Sequence, residues 1–274
     1  MRFTTLITFI LFSSIIFADF RLENVEVIIS DIDKEGGARV QEIITFLIVG
    51  DLSYSLYDSG LYNNDLSFWA GTTQITDAKL HLNPNKVDIQ DFRLIPQPRK
   101  GCNIFANSCR GQLIIDYKAL PHYSKGQRIN GTGPFSVKKE KPRTTTYRIN
   151  SDALSFTTTN IGDIIINRDI TLKIVLPKTS TITELNPFPE NVEVKLPQQL
   201  GELSWTNTIL VRFVLAFQVE ESLGSEVTEF FTGLSRTVEK VIRGEHGLAA
   251  ILILLILVGG YIYLSSLKYK KEKR

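Results

Sequence analysis

The stretch Leu203-Ser-Trp-Thr-Asn-Thr-Ile-Leu-Val-Arg-Phe-Val-Leu-Ala-Phe-Gln-Val219 decides the fold class. Leu203, Trp205, Ile209, Val211, Phe213, Leu215, Phe217 and Val219 recur at every second position, with Asn207 the polar interruption. Ser204, Thr206, Thr208, Arg212, Gln218 and Glu220 fill the other phase. A period of two marks a strand with one buried face. Read as one long strand, it sets these side chains inward at about 1.5–3 kcal/mol each, an upper bound for burial from an extended chain.

Upstream, the same period recurs in shorter runs. Asn24–Ile29 and the alternating Val40, Ile44, Phe46 and Ile48 flank the turn Lys34-Glu-Gly-Gly37, which predicts a β-hairpin. Glu42 is the exception on the apolar face of its second strand. Asp31-Ile-Asp33 is a DxD, a motif that can hold a metal–nucleotide, but beside Gly-Gly it reads as turn carboxylates. Gln74–Leu82, Val87–Ile95 and Gln112–Tyr117 read as further strands. Thr144–Thr158, Ile164–Ile166, Ile170–Leu176 and Val192–Leu196 follow, with Pro177 as a stop and Asn186-Pro-Phe-Pro189 as a turn. Between these runs, Ser53–Trp69 concentrates Tyr54, Tyr57, Tyr62, Phe68 and Trp69 with Asp58, Asn63, Asn64 and Asp65. It reads as a loop whose rings cover the rim of the core, or as an aromatic and carboxylate patch for a glycan or peptide.

Residues 119–143 change character. Lys125, Arg128, Lys138, Lys139, Lys141 and Arg143 crowd a stretch rich in Gly and Pro, with Glu140 the acid among them. This predicts a basic loop or linker, either solvated or facing anionic lipid, acidic glycan or an acidic partner. Nucleic acid is not expected, because aromatic interleaving is thin there. Asn130-Gly-Thr132 is a glycosylation sequon in the same stretch.

Downstream of Ser225 the period lengthens to about 3.6. Val227, Phe230, Phe231, Leu234, Val238, Val241 and Ile242 form one apolar stripe, and Glu239 and Arg243 an i,i+4 pair. We expect an amphipathic stalk helix over 222–246. Its stripe must dock on the β body, pair with a second copy, lie on lipid or meet another subunit. Gly247–Leu267 then runs without a charge. About 20 residues at roughly 1.5 Å each match a hydrocarbon core, where the backbone must be helical. Tyr261, Tyr263 and Tyr269 cluster at one end, and the tail Lys268-Tyr-Lys-Lys-Glu-Lys-Arg274 is strongly basic, which places it in the cytoplasm. At the other terminus, Met1-Arg2 precedes an apolar run to Phe17 with Ala18 before Asp19, a secretory signal over 1–18. The expected localisation is the cell membrane, single-pass, with the N-terminal part outside.

Net charge is +2, so bulk electrostatics name no partner. Cys102 and Cys109 lie where disulfides persist and are expected to form one. His81, His122 and His246 are scattered, so no metal or cofactor is expected. Nucleophile-elbow, P-loop and dinucleotide-binding motifs are missing from the sequence, so no catalytic residue is assigned.

The order of parts resembles uncharacterised archaeal exported membrane proteins with a β ectodomain, in stretches such as Ile170-Thr-Leu-Lys-Ile-Val-Leu-Pro177 and Leu203-Ser-Trp205. It also resembles the ribophorin-type lumenal subunits of oligosaccharyltransferase. The resemblance implies layout and no functional residue. The resulting expectation is an all-β ectodomain of one or two antiparallel sandwiches. A domain over 19–118 and a second over 144–221, or the second half of one large domain, precede the stalk and the transmembrane helix. The expected function is non-enzymatic binding or scaffolding in a membrane complex. The alternative is an anchored hydrolase of envelope glycans or peptides, using carboxylates around Asp51–Asp65.

Overall fold

The computed structural model describes residues 18–141, 143–190 and 195–220. Residues 1–17 of the expected signal over 1–18, most of the Val192–Leu196 strand, the stalk stripe, the transmembrane run and the tail lie outside the described residues. No helix among the described residues is long and apolar enough to cross a membrane.

The fold is mostly β-strand, 55%, with few helices. Thirteen strands occur among the described residues: β1 (Asp19–Ser30), β2 (Ala38–Val49), β3 (Asp88–Asn103), β4 (Ser108–Leu120), β5 (Tyr123–Ser124), β6 (Gln127–Arg128), β7 (Phe135–Lys141), β8 (Thr144–Ile149), β9 (Thr157–Thr158), β10 (Ile164–Val175), β11 (Ser180–Asn186), β12 (Glu202–Leu210) and β13 (Val214–Glu220). The larger sheet has the order β12-β10-β1-β2-β4-β3, with β9 alongside β10. The smaller has the order β11-β13-β8-β7, and β5 and β6 form a separate hairpin. The β1–β2 hairpin matches the alternation read from the sequence. β10, however, runs parallel to β1, from Val25 opposite Ile170 to Ile29 opposite Ile174, so the larger sheet is not purely antiparallel. The large sheet thus draws strands from both sides of residues 119–143.

The stretch 203–219 is two strands in two sheets rather than one. Asn207 (φ 50°) takes left-handed backbone at a bulge within β12, and Arg212 (φ 47°) does so in the turn that separates β12 from β13. Each shifts the phase of the alternation. Leu203 and Trp205 point inward, then Leu210 is buried while Ile209 and Val211 are about half exposed. Beyond Arg212, Phe213, Leu215 and Phe217 are buried again, now in the smaller sheet. The core beneath both sheets joins Phe46, Leu113, Ile115, Leu172, Ile174, Trp205 and Phe217.

Several expected boundaries move for similar local reasons. Ser53–Trp69 is no loop but contributes to two helices, α1 (Asp51–Gly60) and α2 (Leu66–Thr73). Asp65 caps α2 by accepting from the Ser67 N–H at 2.8 Å, and Trp69 and Tyr57 are fully buried. Gln74–Leu82 is turns rather than strand, entered through a left-handed Gln74 that ends α2. Pro96 and Pro98 sit within β3, tolerated because β3 is an edge strand. The strand β11 had no reading in the sequence.

The expected basic loop is instead the β5–β6 hairpin and β7. One contact explains its order. Gly36 adopts φ +83° at the β1–β2 turn, and a Cβ there would collide with the Phe135 carbonyl oxygen. Only glycine allows that approach, at which the Phe135 N–H donates to the Gly36 carbonyl (3.1 Å). The turn of the larger sheet is thereby fastened to the first residue of β7.

Candidate functional site

Strand register brings seven charged side chains to the end of the larger sheet where β1 ends and β2 begins. Asp31, Asp33, Asp91 and Asp116 alternate with Arg39, Arg93 and Lys118 around an open cleft of about 460 Å³. Arg39 faces Lys118 across the β2–β4 ladder, and Lys118 faces Gln90 across β3–β4. The register slips between Gln90 and Arg93, where Asp91 takes φ 55° and turns toward Lys118.

The cleft's charges are fastened. Arg39 holds Asp116 through two hydrogen bonds of 2.8 and 2.7 Å, and Lys118 lies 2.8 Å from Asp91. The hydrogen bond from Arg39 holds the Asp116 carboxyl below the ordinary range, with its charge and that of Arg93 adding to this. Asp91 is lowered first by the Lys118 hydrogen bond. Asp33 caps its own turn, accepting from the Glu35 and Gly37 N–H groups at 2.8 Å. The DxD is therefore a turn device at Asp33 and a cleft wall at Asp31. No cluster of three or more metal-ligating side chains exists among the described residues. A glycosidase acid must keep its proton near neutral pH, and Asp91 and Asp116 are both held in the charged form instead.

Tyr117 floors the cleft, and its hydroxyl enters a buried network. It donates to Glu42 Oε1 at 2.6 Å, and the His81 backbone N–H donates to the same oxygen at 2.9 Å. His81 Nδ1 lies 2.8 Å from Glu42 Oε2, while its Nε2 has no partner among the described residues and its ring packs on Phe156. Burial, then the Glu42 carboxylate, pushes the Tyr117 phenol well above its usual range. Glu42 and His81 have no exposed surface, so no substrate reaches this triad. It is a polar joint between β2, β4 and the turns after α2.

The residues singled out in the sequence are placed as follows. Cys102 and Cys109 form a disulfide at the tip of the β3–β4 hairpin. Arg128 is spent on structure, donating to the carbonyls of Glu35, Thr132 (2.9 Å) and Phe135 (2.6 Å). Lys125 is exposed on the β5–β6 turn, and Lys138 and Lys139 are exposed on β7, an edge strand of a different sheet. Arg143 is exposed between β7 and β8, and the Lys141 side chain lies outside the described residues. Asn130 is exposed, whereas the sequon's Thr132 hydroxyl is buried, donating to the Ile129 carbonyl (2.6 Å) and accepting from the His122 N–H (3.1 Å). Of the carboxylates around Asp51–Asp65, Asp58 is bound by Arg99 at 2.7 and 2.8 Å and is lowered mainly by that hydrogen bond. With Asp65 spent on its cap and Asp58 on Arg99, no catalytic pair is assembled from these two. Tyr54 carries the Arg99 guanidinium 4.3 Å above its ring.

The cleft itself escaped sequence reading because it depends on cross-strand register. The signal the sequence did offer was the DxD, since Asp31 and Asp33 line the cleft, whereas the anomalous Glu42 marked the buried network beneath it.

No family model matches the sequence, and no curated protein is similar to it at a significant level. Among solved structures, native leukotriene A4 hydrolase from Saccharomyces cerevisiae is similar at TM-score 0.30 and 9% identity, over 73% of this chain and 29% of that one. The yeast enzyme in complex with bestatin gives 0.29 and 10%, over 74% and 29%. This chain spans under a third of that enzyme's length, and a likeness at this level carries nothing about activity.

Proposed function

We propose that this chain is a membrane-anchored, extracytoplasmic binding module that scaffolds a membrane complex and catalyses no reaction. Gly247–Leu267 is its anchor, 268–274 its cytoplasmic end, and the β body its recognition domain outside. The stripe Val227, Phe230, Phe231, Leu234, Val238, Val241 and Ile242 is its second contact, with a partner subunit or a second copy.

The observation that carries this reading is the mixed-charge cleft. Two of its carboxylates, Asp116 and Asp91, are held by Arg39 and Lys118 rather than left available for proton transfer. Fixed charges of both signs favour an extended polar segment of complementary pattern, and they confer specificity more than raw affinity. The Arg93 side chain is exposed and makes no hydrogen bond or salt bridge among the described residues, though it faces Asp116 across the β3–β4 ladder and its charge helps lower that carboxyl, so reversing it should leave the fold intact at a small cost. Arg93→Glu in the full chain is expected to stay folded, with a small drop in melting temperature from repulsion with Asp91 and Asp116. It should weaken retention of the partner recovered from native membranes by about tenfold, or ~1.4 kcal/mol. Unchanged retention would remove the cleft from the binding surface.

A further inference from the structure

The opposite end of the larger sheet carries an apolar rim. Asp19 pairs with Val49, Val49 with Ser108, and Asn103 with Ser108, which places the β3–β4 turn at the end where β1 begins. β10 runs parallel to β1, and Ile164 pairs with both Leu210 and Thr158. The β9–β10 and β12–β13 turns therefore emerge at this same end. These turns present Ile104 and Phe105, Ile161 and Val211, with relative exposures of 91%, 104%, 85% and 48%.

The leading turn is preorganised. Asn103 Oδ1 accepts from the Phe105 and Ala106 N–H groups at 3.0 and 3.1 Å, and the Gly50 N–H donates to the Asn107 carbonyl at 3.0 Å. The Cys102–Cys109 disulfide closes the turn from below. Phe105 stands fully exposed on this ordered turn, and with Ile104 beside it forms the most exposed apolar pair of the rim.

We propose that this rim, led by Ile104 and Phe105, docks on the headgroup region of an anionic bilayer. The proposal rests on the reading of Gly247–Leu267 as an anchor. Residues 221–246 would span on the order of 40 Å if helical, which keeps the domain within reach of its own membrane. Strands are spaced about 4.8 Å apart, so the Ile104–Phe105 pair, Ile161 and Val211 are spread across roughly 15–20 Å. Protein hot spots cluster in one desolvated patch, whereas interfacial anchors are apolar residues set among cations. The segment Arg99–Arg110 contains Arg99, Lys100 and Arg110 and no acid. Arg99 and Arg110 are paired with Asp58 and Glu23, but Lys100 contacts only Gln112, and the Arg212 guanidinium has no partner among the described residues. Acids at this end include Asp19, which pairs with Arg21, Asp51 in the first turn of α1, and Asp163, which accepts from the Arg212 backbone N–H at 3.0 Å.

The test reconstitutes the full chain in nanodiscs of brominated lipid, with and without phosphatidylglycerol, and compares Phe105→Trp with the parent. The native Trp69 and Trp205 are buried and provide a constant background. The expected result is blue-shifted emission from the introduced indole, quenched by bromine, more strongly in the anionic discs. Lys100→Glu/Arg212→Glu should abolish that difference. Equal quenching in both discs would keep the docking and overturn the anionic preference. Emission typical of exposed tryptophan, unquenched in both discs, would overturn the proposal, as would shielding that arises only when a co-purified protein is added. A chain that fails to enter the discs would remove the anchor reading itself, and the proposal with it.

Discussion

Glu42→Ala is expected to leave little folded protein. The Glu42 carboxylate accepts from the His81 backbone N–H and the Tyr117 hydroxyl, and is the partner of His81 Nδ1, all within 2.9 Å and inside the core. The unpartnered Nε2 assigns the imidazole proton to Nδ1, since an unmatched lone pair costs less than an orphaned N–H. Alanine strands three donors at about 1–3 kcal/mol each and leaves a cavity where the side chain stood. A loss of that size rivals the ~5–15 kcal/mol that holds a typical domain together. Glu42→Gln keeps one acceptor and should fall between, and Tyr117→Phe should cost about 1–3 kcal/mol, since it removes one donor to Glu42 and the oxygen that the Leu82 backbone N–H faces. Urea unfolding midpoints of the full chain in mild detergent would rank the three. A parent-like midpoint for Glu42→Ala would mean that the network is dispensable.

Phe217→Asp should abolish folding and delivery to the membrane. Phe217 has no exposed surface, stacks on Tyr147 at 5.1 Å and meets Phe135 edge-on at 5.9 Å. Truncation to alanine at such a site costs about 3–5 kcal/mol. Aspartate adds the burial of a charge with no cation provided for it. Phe213→Asp, against Trp205 at the entry to β13, should act in the same direction with a smaller effect, because Phe213 retains some exposure. Protease resistance and membrane recovery of the tagged chain provide the readout. Normal delivery of Phe217→Asp would contradict the inward assignment of β13.

How far the sequence foretold this depended on whether a feature was local. The β1–β2 hairpin was legible because alternation and the Gly-Gly turn act within a few residues. The division of 203–219 between two sheets was not, because Asn207 and Arg212 are ordinary residues in unusual backbone, and nothing in composition marks them. The helices α1 and α2 were obscured by aromatic residues that favour strands but here fill the core as Tyr57 and Trp69. Arg128 read as a surface cation, yet the chain folds three carbonyls around it. The cleft needed Arg39, Asp116, Lys118 and Asp91 in register, which only pairing across three strands provides. Glu42 was visible as an anomaly, but its partners His81 and Tyr117 lie far along the chain.

The composition of the native complex tests the scaffolding function most directly. The chain would be tagged at its C-terminus, extracted gently from its own membrane and weighed by light scattering together with whatever accompanies it. Scaffolding predicts that the chain is recovered in an assembly larger than itself with a stoichiometric partner, and that Phe230→Asp/Leu234→Asp releases that partner. Recovery of the chain alone as a monomer would contradict it.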